Sequence, residues 1–180
     1  MGHRLSKIVT RTGDTGTTGL ATGGRIAKSH ARIDAMGEVD ELNCQLGLLL
    51  VQARLPPAMR KTLGRLQHEL FNLGGELAMP GHALVVEANL AQLEADVVAL
   101  NTKLPPLKEF VLPGGNAPAA QAHLARAVAR RVERALWRLH EQEPHNAVTL
   151  RYANRLSDYL FCAARTLARR AGGKEVTWSH

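Results

Sequence analysis

Aromatic side chains are scarce in this chain of 180 residues: Phe, Trp and Tyr make up 4% of it, and its apolar residues are chiefly Leu and Ala. Sheets draw their cores from β-branched and ring side chains, so this shortage favours close-packed helices. Cysteine is nearly absent as well. Cys44 and Cys162 stand far apart without a CxxC spacing, which argues against a disulfide framework and suits a reducing compartment. No apolar run approaches the roughly 18 residues of a membrane span, and the opening MGHRLSKIVTRTGD has no apolar signal segment. The expectation is a cytoplasmic protein without membrane insertion. The histidines never fall into HxxxH or HExxH, so a dedicated zinc site is not expected. No Cys/His or Ser/His/Asp constellation suggests a protein nucleophile.

Positive charge, by contrast, is plentiful. A formal net charge of +7 and a pI near 10.0 call for an anionic partner: nucleic acid, a phosphorylated small molecule or an acidic surface. The charge is densest in Gln121 to His140, QAHLARAVARRVERALWRLH. On a helix this stretch sets Leu124, Val128, Ala135 and Leu139 on one side and Arg126, Arg130, Glu133 and Trp137 on the other. Arg126, Arg130, Arg134 and Arg138 form an unbroken i,i+4 row, a destabilising arrangement unless something anionic sits among them. Glu133 alone cannot neutralise it. The face is solvated and screened, or meets carboxylates from another element, or holds an anionic ligand, and the stretch by itself leaves all three open.

Residues 1 to 30 differ from the rest. Arg11-Thr12-Gly13-Asp14-Thr15-Gly16-Thr17-Thr18-Gly19 is incompatible with a stable helix, and Gly23-Gly24 adds a second flexible point. Such a segment is either a disordered basic tail or a phosphate-gripping loop. The second reading uses every residue type present: Gly for close N–H approach, Thr hydroxyls as donors, Asp14 to organise a divalent cation, and Arg11 and Lys28 for charge. The GxxxxGK[ST] spacing of a Walker A loop is missing.

Leucine periodicity marks further helices at about 32–54, 58–78, 87–104 and 147–171, stopped by Pro56-Pro57, Pro80-Gly81, Pro105-Pro106 and Gly172-Gly173. The first opens acidic, with Asp34, Glu38, Asp40 and Glu41 a natural complement to the Arg row. The second and third read as packing alone. The last sets Leu150, Ala153, Leu160, Ala164 and Leu167 toward the core and Arg151, Asn154, Arg155, Asp158, Cys162 and Arg165 near the opposite face. Phe110-Val111-Leu112-Pro113-Gly114-Gly115-Asn116 links the third helix to the Arg helix, with Asn116 as its N-cap and Phe110 either plugging the bundle end or touching a flat ligand. The fold class is therefore all-α, a five-helix bundle, divided as an arm and loop at 1–30, a bundle at 31–171 and a tail at 172–180.

Five blocks in this order resemble the PduO-type ATP:corrinoid adenosyltransferases, also called ATP:cob(I)alamin adenosyltransferases: TRTGDTGTTGL at 10–20, IDAMGEVDELNCQLG at 33–47, FVLPGGN at 110–116, HLARAVARRVER at 123–134 and NRLSDYLFCAAR at 154–165. The resemblance covers residues 6 to 178. It implies a homotrimer with active sites between subunits, in which Co(I) of a reduced corrinoid attacks the 5′ carbon of ATP and inorganic triphosphate leaves. The loop residues Thr10, Arg11, Thr12, Gly13, Asp14, Gly16, Thr17, Thr18 and Lys28 would hold the ATP phosphates with Mg²⁺. Arg126 and Arg130 would line that site, Asp40 would pair with Arg126 across the interface, and Glu133, Asn154 and Arg155, with Asp158 in the same block, would complete the nucleotide site. Phe110 would stand beside the corrin and help exclude its lower axial ligand. Expected partners are a Co(II) reductase and an adenosylcobalamin-dependent enzyme or chaperone. The chain departs from the family's pattern at Arg11, where lysine is common, and at Met36, where an aromatic often stands; an Arg for Lys changes reach and fork geometry.

Other readings remain distinct. A nucleic-acid-binding bundle fits the charge, but the acidic opening of the first helix would repel phosphates. A catalytically silent nucleotide-binding trimer, or one that hydrolyses ATP without corrinoid, would keep the same blocks.

Overall fold

A computed structural model describes residues 8–52 and 55–179. A small antiparallel hairpin, β1 (Thr17–Gly19) and β2 (Arg25–Ala27), precedes α1 (Ala31–Leu50), α2 (Pro57–Ala78), α3 (Glu87–Asn101), α4 (Ala117–Gln142) and α5 (Ala147–Ala168), after which a 3-10 turn spans Arg170–Gly172. The five-helix, all-α expectation holds. In the bundle α4 packs between α1 and α5, α2 lies against α1, and α3 lies against α5.

The helix ends shift from the sequence expectation for local reasons. Helix α1 stops at Leu50, short of the expected Arg54, which lies outside the described residues. It has no basic residue in its last turn; Arg60 of α2 supplies one, donating to the carbonyls of Leu50 and Gln52. Helix α3 ends at Asn101, and the chain then tightens into three-residue turns, with Lys103 N–H donating to Leu100 O and Leu104 N–H to Asn101 O. Helix α4 starts at Ala117 because Asn116 Oδ1 accepts from Ala119 N–H at 2.9 Å, the expected cap, with Pro118 tolerated in the first turn. Helix α5 ends before Ala171, which adopts a left-handed φ of 53°.

The core is leucine and alanine with Tyr152 and Tyr159 fully enclosed. Leu124, placed above on the core side of α4, is half exposed; the buried stripe runs instead through Ala125, Val128, Ala129, Val132 and Leu136. Leu124 falls at the stripe's edge, where no neighbouring helix covers it. Cys162 and Arg165, set near the opposite face of α5 above, are both buried, Arg165 against Glu175 of the C-terminal tail. Cys44 is exposed.

Helix α2 carries more than packing. Glu69 and Glu76 fall on its leucine stripe and are buried. Tyr152 donates its hydroxyl to Glu69 at 2.6 Å, and Asn89 donates to the same carboxylate. Glu76 accepts from the backbone N–H of Leu84 and Val85, from Thr149 Oγ1 at 2.6 Å and from Asn146, while His145 Nε2 lies 3.0 Å away. Burial pushes its carboxyl up, but the bonds from His145, Thr149 and the two backbone amides outweigh burial and bring it from 4.5 down to about 2. A carboxyl lowered on folding stabilises above its unfolded pKa and loses that contribution as the pH falls through its folded one. Glu76→Gln is therefore expected to cost on the order of 3 kcal/mol at neutral pH in urea unfolding, with the gap to wild type closing between about pH 4.5 and 2.

Candidate functional site

The arginines of α4 do not share one environment. Arg138 Nη2 lies 3.3 Å from Asp34, and Arg131, which stands outside the i,i+4 row, pairs with both Glu38 and Glu41. The acidic opening of α1 thus meets the face of α4 that packs against it. Arg134 Nη1 donates to the Arg130 carbonyl at 3.2 Å. Among the described residues, no carboxylate pairs with Arg126 or Arg130. The Arg126 Nε is buried without a hydrogen-bond partner, and its guanidinium pKa is lowered by burial and by neighbouring Arg130. A half-buried cation with an unmet donor beside a second cation is a place for an anion.

Helix α5 completes the wall. Asn154 Nδ2 donates to Glu133 at 3.0 Å, and Asn154 Oδ1 accepts from Arg155 Nη1 at 2.6 Å. Arg155 also reaches Glu94 at 3.0 Å and lies 3.8 Å from Asp158. Burial raises the Asp158 carboxyl, against the pull of Arg155 and with the push of Glu133, while Arg130 is close enough to lower it. Arg130, Glu133, Asn154, Arg155 and Asp158 are one electrostatic cluster at the α4–α5 boundary, and Arg126 adjoins it through Arg130.

Residues 10 to 28 form a stapled loop. Arg25 fastens it: Nη2 donates to the carbonyls of Thr12 at 2.7 Å and Thr17 at 3.0 Å, and Nε to Thr17 Oγ1 at 3.2 Å. Thr10 and Thr12 join through their hydroxyls, and Lys28 N–H donates to Gly16 O at 2.8 Å. A Cβ on Gly13 would stand 3.1 Å from the Lys28 ammonium and 3.3 Å from Thr17 O, so glycine lets the lysine lie close against the loop. Arg11 adopts a φ of 60°, a strained setting for a residue other than glycine. Asp14, Thr15 and Thr18 add their polar side chains on and beside this hairpin. The loop is anchored at the end of the bundle where α4 finishes: Ala21 N–H donates to Ala78 O at 3.0 Å, and His30 Nε2 lies 3.3 Å from Glu143.

Two expected residues lie apart from these groups. Asp40 is exposed and borders a groove of about 330 Å³ between α1 and α2, lined with Met36, Phe71 and Gly74. It makes no contact with Arg126 in the chain. Phe110 is 78% exposed, which removes the reading of it as a plug of the bundle end. Sequence reasoning missed Arg25, Arg131 and His123. The first was signalled by the Gly-Gly turn between two short β-compatible runs. His123 is buried beside Arg126, its Nδ1 unpartnered and its ring edge-on to Phe161 at 6.2 Å.

The described residues thus combine, on one helical bundle, a stapled glycine-threonine loop and a guanidinium pair that no intrachain carboxylate neutralises. The model of the cobalamin adenosyltransferase family matches residues 8–167, and the chain belongs to that family. It is 53% identical over 178 residues to a cobalamin adenosyltransferase of Cupriavidus metallidurans, covering 99% of this chain and 97% of the relative. It is 40% identical to the corrinoid adenosyltransferase of Bacillus subtilis, covering 96% and 92%. A variant of the PduO-type ATP:corrinoid adenosyltransferase of Lactobacillus reuteri, complexed with cobalamin and ATP, superposes with a TM-score of 0.90 at 31% identity, covering 97% of this chain and 100% of the other.

The split among the arginines yields a direct test. Arg131→Met should lower the melting temperature of the ligand-free protein by about 2–4 °C, the equivalent of about 1 kcal/mol at this size, and keep the gain in melting temperature given by added tripolyphosphate. Arg130→Met should abolish that gain with little effect on the ligand-free value, both read by differential scanning fluorimetry.

Proposed function

We propose that this protein transfers the 5′-deoxyadenosyl group of ATP to the Co(I) centre of a reduced corrinoid such as cob(I)alamin. The observation that carries the reading is that Arg126 and Arg130 are left free of intrachain carboxylates while Arg131 and Arg138 are paired. The Co(I) lone pair forms the cobalt–carbon bond as the C5′–O5′ bond breaks, and inorganic triphosphate takes the bonding electrons. The charge that accumulates is on the leaving group. Arg126, Arg130 and the loop amides meet it, and no proton-abstracting base is required. Membership of the family and the cobalamin and ATP complexes of the Lactobacillus reuteri relative support this reading.

The site is assembled from two subunits. Within one chain the loop is anchored beside Glu143, whereas Arg130 and Arg126 lie about 20 and 25 Å back along α4 at 1.5 Å per residue. That distance exceeds a triphosphate. A loop from one subunit and the α4 arginines of the next bring both halves to one ATP, and a homotrimer with Asp40 paired to the neighbour's arginine closes the arrangement. Mg²⁺ fits the residues present as a companion of the phosphates. Among the described residues no three acidic, His or Cys groups form a cage, and Mg²⁺ held mainly by phosphates and water needs one or two carboxylates, which Asp14 and Glu133 can offer. When bound it neutralises phosphate charge. Thr10, Arg11, Thr12, Gly13, Gly16, Thr17, Thr18 and Lys28 cradle the phosphates, and Asn154 and Arg155 hold the nucleotide. Phe110, exposed on its connector, stands against the corrin and excludes the lower axial ligand.

Among the described residues no helix is long and apolar enough to cross a membrane. The reading places the enzyme in the cytoplasm, supplied by a Co(II) reductase and followed by an acceptor enzyme or chaperone for the product. The test is formation of adenosylcobalamin and triphosphate from ATP and cob(I)alamin under strongly reducing conditions. Arg130→Ala should lower turnover at least about 100-fold with the helical content unchanged. Near-normal turnover by that variant, or phosphate release without corrinoid, would remove the assignment. Mixing Arg130→Ala subunits with Gly13→Ala subunits should restore measurable activity, since a mixed trimer regains a site with both halves intact.

A further inference from the structure

The connector that carries Phe110 does not stand alone. Residues 175–178 return from the end of α5 and run antiparallel to it: Leu112 N–H donates to Val176 O at 2.8 Å, Trp178 N–H donates to Phe110 O at 2.7 Å, and Val111 bridges Thr177. A two-stranded ribbon this short is marginal by itself. What fixes it is Glu175, whose side chain is 7% exposed although it lies on the tail. Its carboxylate accepts from Arg165 Nε and, at 3.0 Å, from Arg169 Nη1. Arg165 is itself buried and donates Nη2 to the carbonyl of Pro105 at 2.8 Å, at the base of the same connector. One guanidinium on a rigid helix therefore holds the connector's root with one nitrogen and the tail with another. The far end is pinned separately, by Asn116 Nδ2 donating to Leu167 O at 2.9 Å.

A buried ion pair adds little net stability over an apolar pair of the same shape, because desolvation offsets most of the attraction. What it adds is a fixed geometry. We propose that Arg165 and Glu175 are positioning residues for adenosyl transfer: their buried pair lays the tail on the 110–112 connector and so sets where the Phe110 ring stands. This rests on the reading of Phe110 as the ring against the corrin. Phe110 is 78% exposed and lies in none of the buried clusters of the described residues, so the position of its backbone largely sets where its ring stands.

The test uses the full-length enzyme with Glu175→Gln, which keeps the shape and removes the charge, and Arg169→Ala, which weakens the grip from the exposed side. In Glu175→Gln, amide hydrogen exchange at Leu112 and Trp178 should quicken about tenfold or more while the helices keep their protection. With ATP bound, the fraction of Co(II) corrinoid lacking its lower axial ligand, read by electron paramagnetic resonance, should drop. The kcat should fall about tenfold with KM for ATP within about twofold, and Arg169→Ala should show the same pattern more weakly. Because the effect passes through the ring, Glu175→Gln combined with Phe110→Ala should be no slower than Phe110→Ala alone. Unchanged exchange at Leu112 and Trp178, or additive losses in the double variant, would overturn the proposal. Wild-type turnover by Phe110→Ala would instead strike the reading of the ring, and the positioning role with it, even where the exchange result shows that the pair holds the connector.

Discussion

The distribution of a few carboxylates over the arginines of α4 decides what this molecule can do. Asp34, Glu38 and Glu41 sit on the face of α1 that packs on α4, and they take Arg138 and Arg131. Charge that would strain the helix is met where the two helices touch, and it becomes part of their packing. Around the other side of α4, Glu133 and Asp158 lie in the same cluster as Arg130, yet among the described residues no carboxylate pairs with Arg126 or Arg130, and Arg126 is left half-buried with an unmet donor.

Much of the fold was legible because its stops are chemical. Pro56-Pro57 and the Asn116 cap mark helix boundaries with residues whose backbone preferences leave little choice, and leucine spacing fills the intervals, whereas α3 stops at Asn101, ahead of Pro105-Pro106. The boundaries that moved did so for reasons distant in sequence, as when Arg60 of α2 caps α1. Glu69 and Glu76 were visible in principle, since they share a stripe with Leu66, Leu70, Leu73 and Leu77. Their meaning was not, because Tyr152, Thr149 and Asn146, which satisfy them, come from α5 and its cap. Arg165 was set near the face opposite the core because helical periodicity on α5 cannot register a tail whose Glu175 folds back onto it.

The site divides along the same line. The glycine-threonine loop stood out by residue type as a candidate for gripping phosphate, and the arginine row as a place for carboxylates or an anion, while the choice of Arg126 and Arg130 within that row came from the family resemblance. Which arginines remain unpaired could not be read from residue types, since the i,i+4 row treats Arg126 and Arg138 alike and passes over Arg131. Asp40 belongs with Glu38 and Glu41 by charge and apart from them by direction, lining the α1–α2 groove. Only the three-dimensional arrangement separates the acids that complete the bundle from the acid left facing outward.

The Glu76 network also gives the molecule a polarity along its length. Leu77 O accepts from buried Arg32, and Ala78 O accepts from Ala21, so the N-terminal hairpin hangs from the end of α2 just beyond that carboxylate. The Phe110 connector hangs from Arg165 and Glu175, which share no hydrogen bond with Glu76 among the described residues. Each arm of the chain is thus suspended from its own charged anchor. The hairpin and the Phe110 connector share no anchoring hydrogen bond among the described residues, so local opening of one does not require loosening of the other.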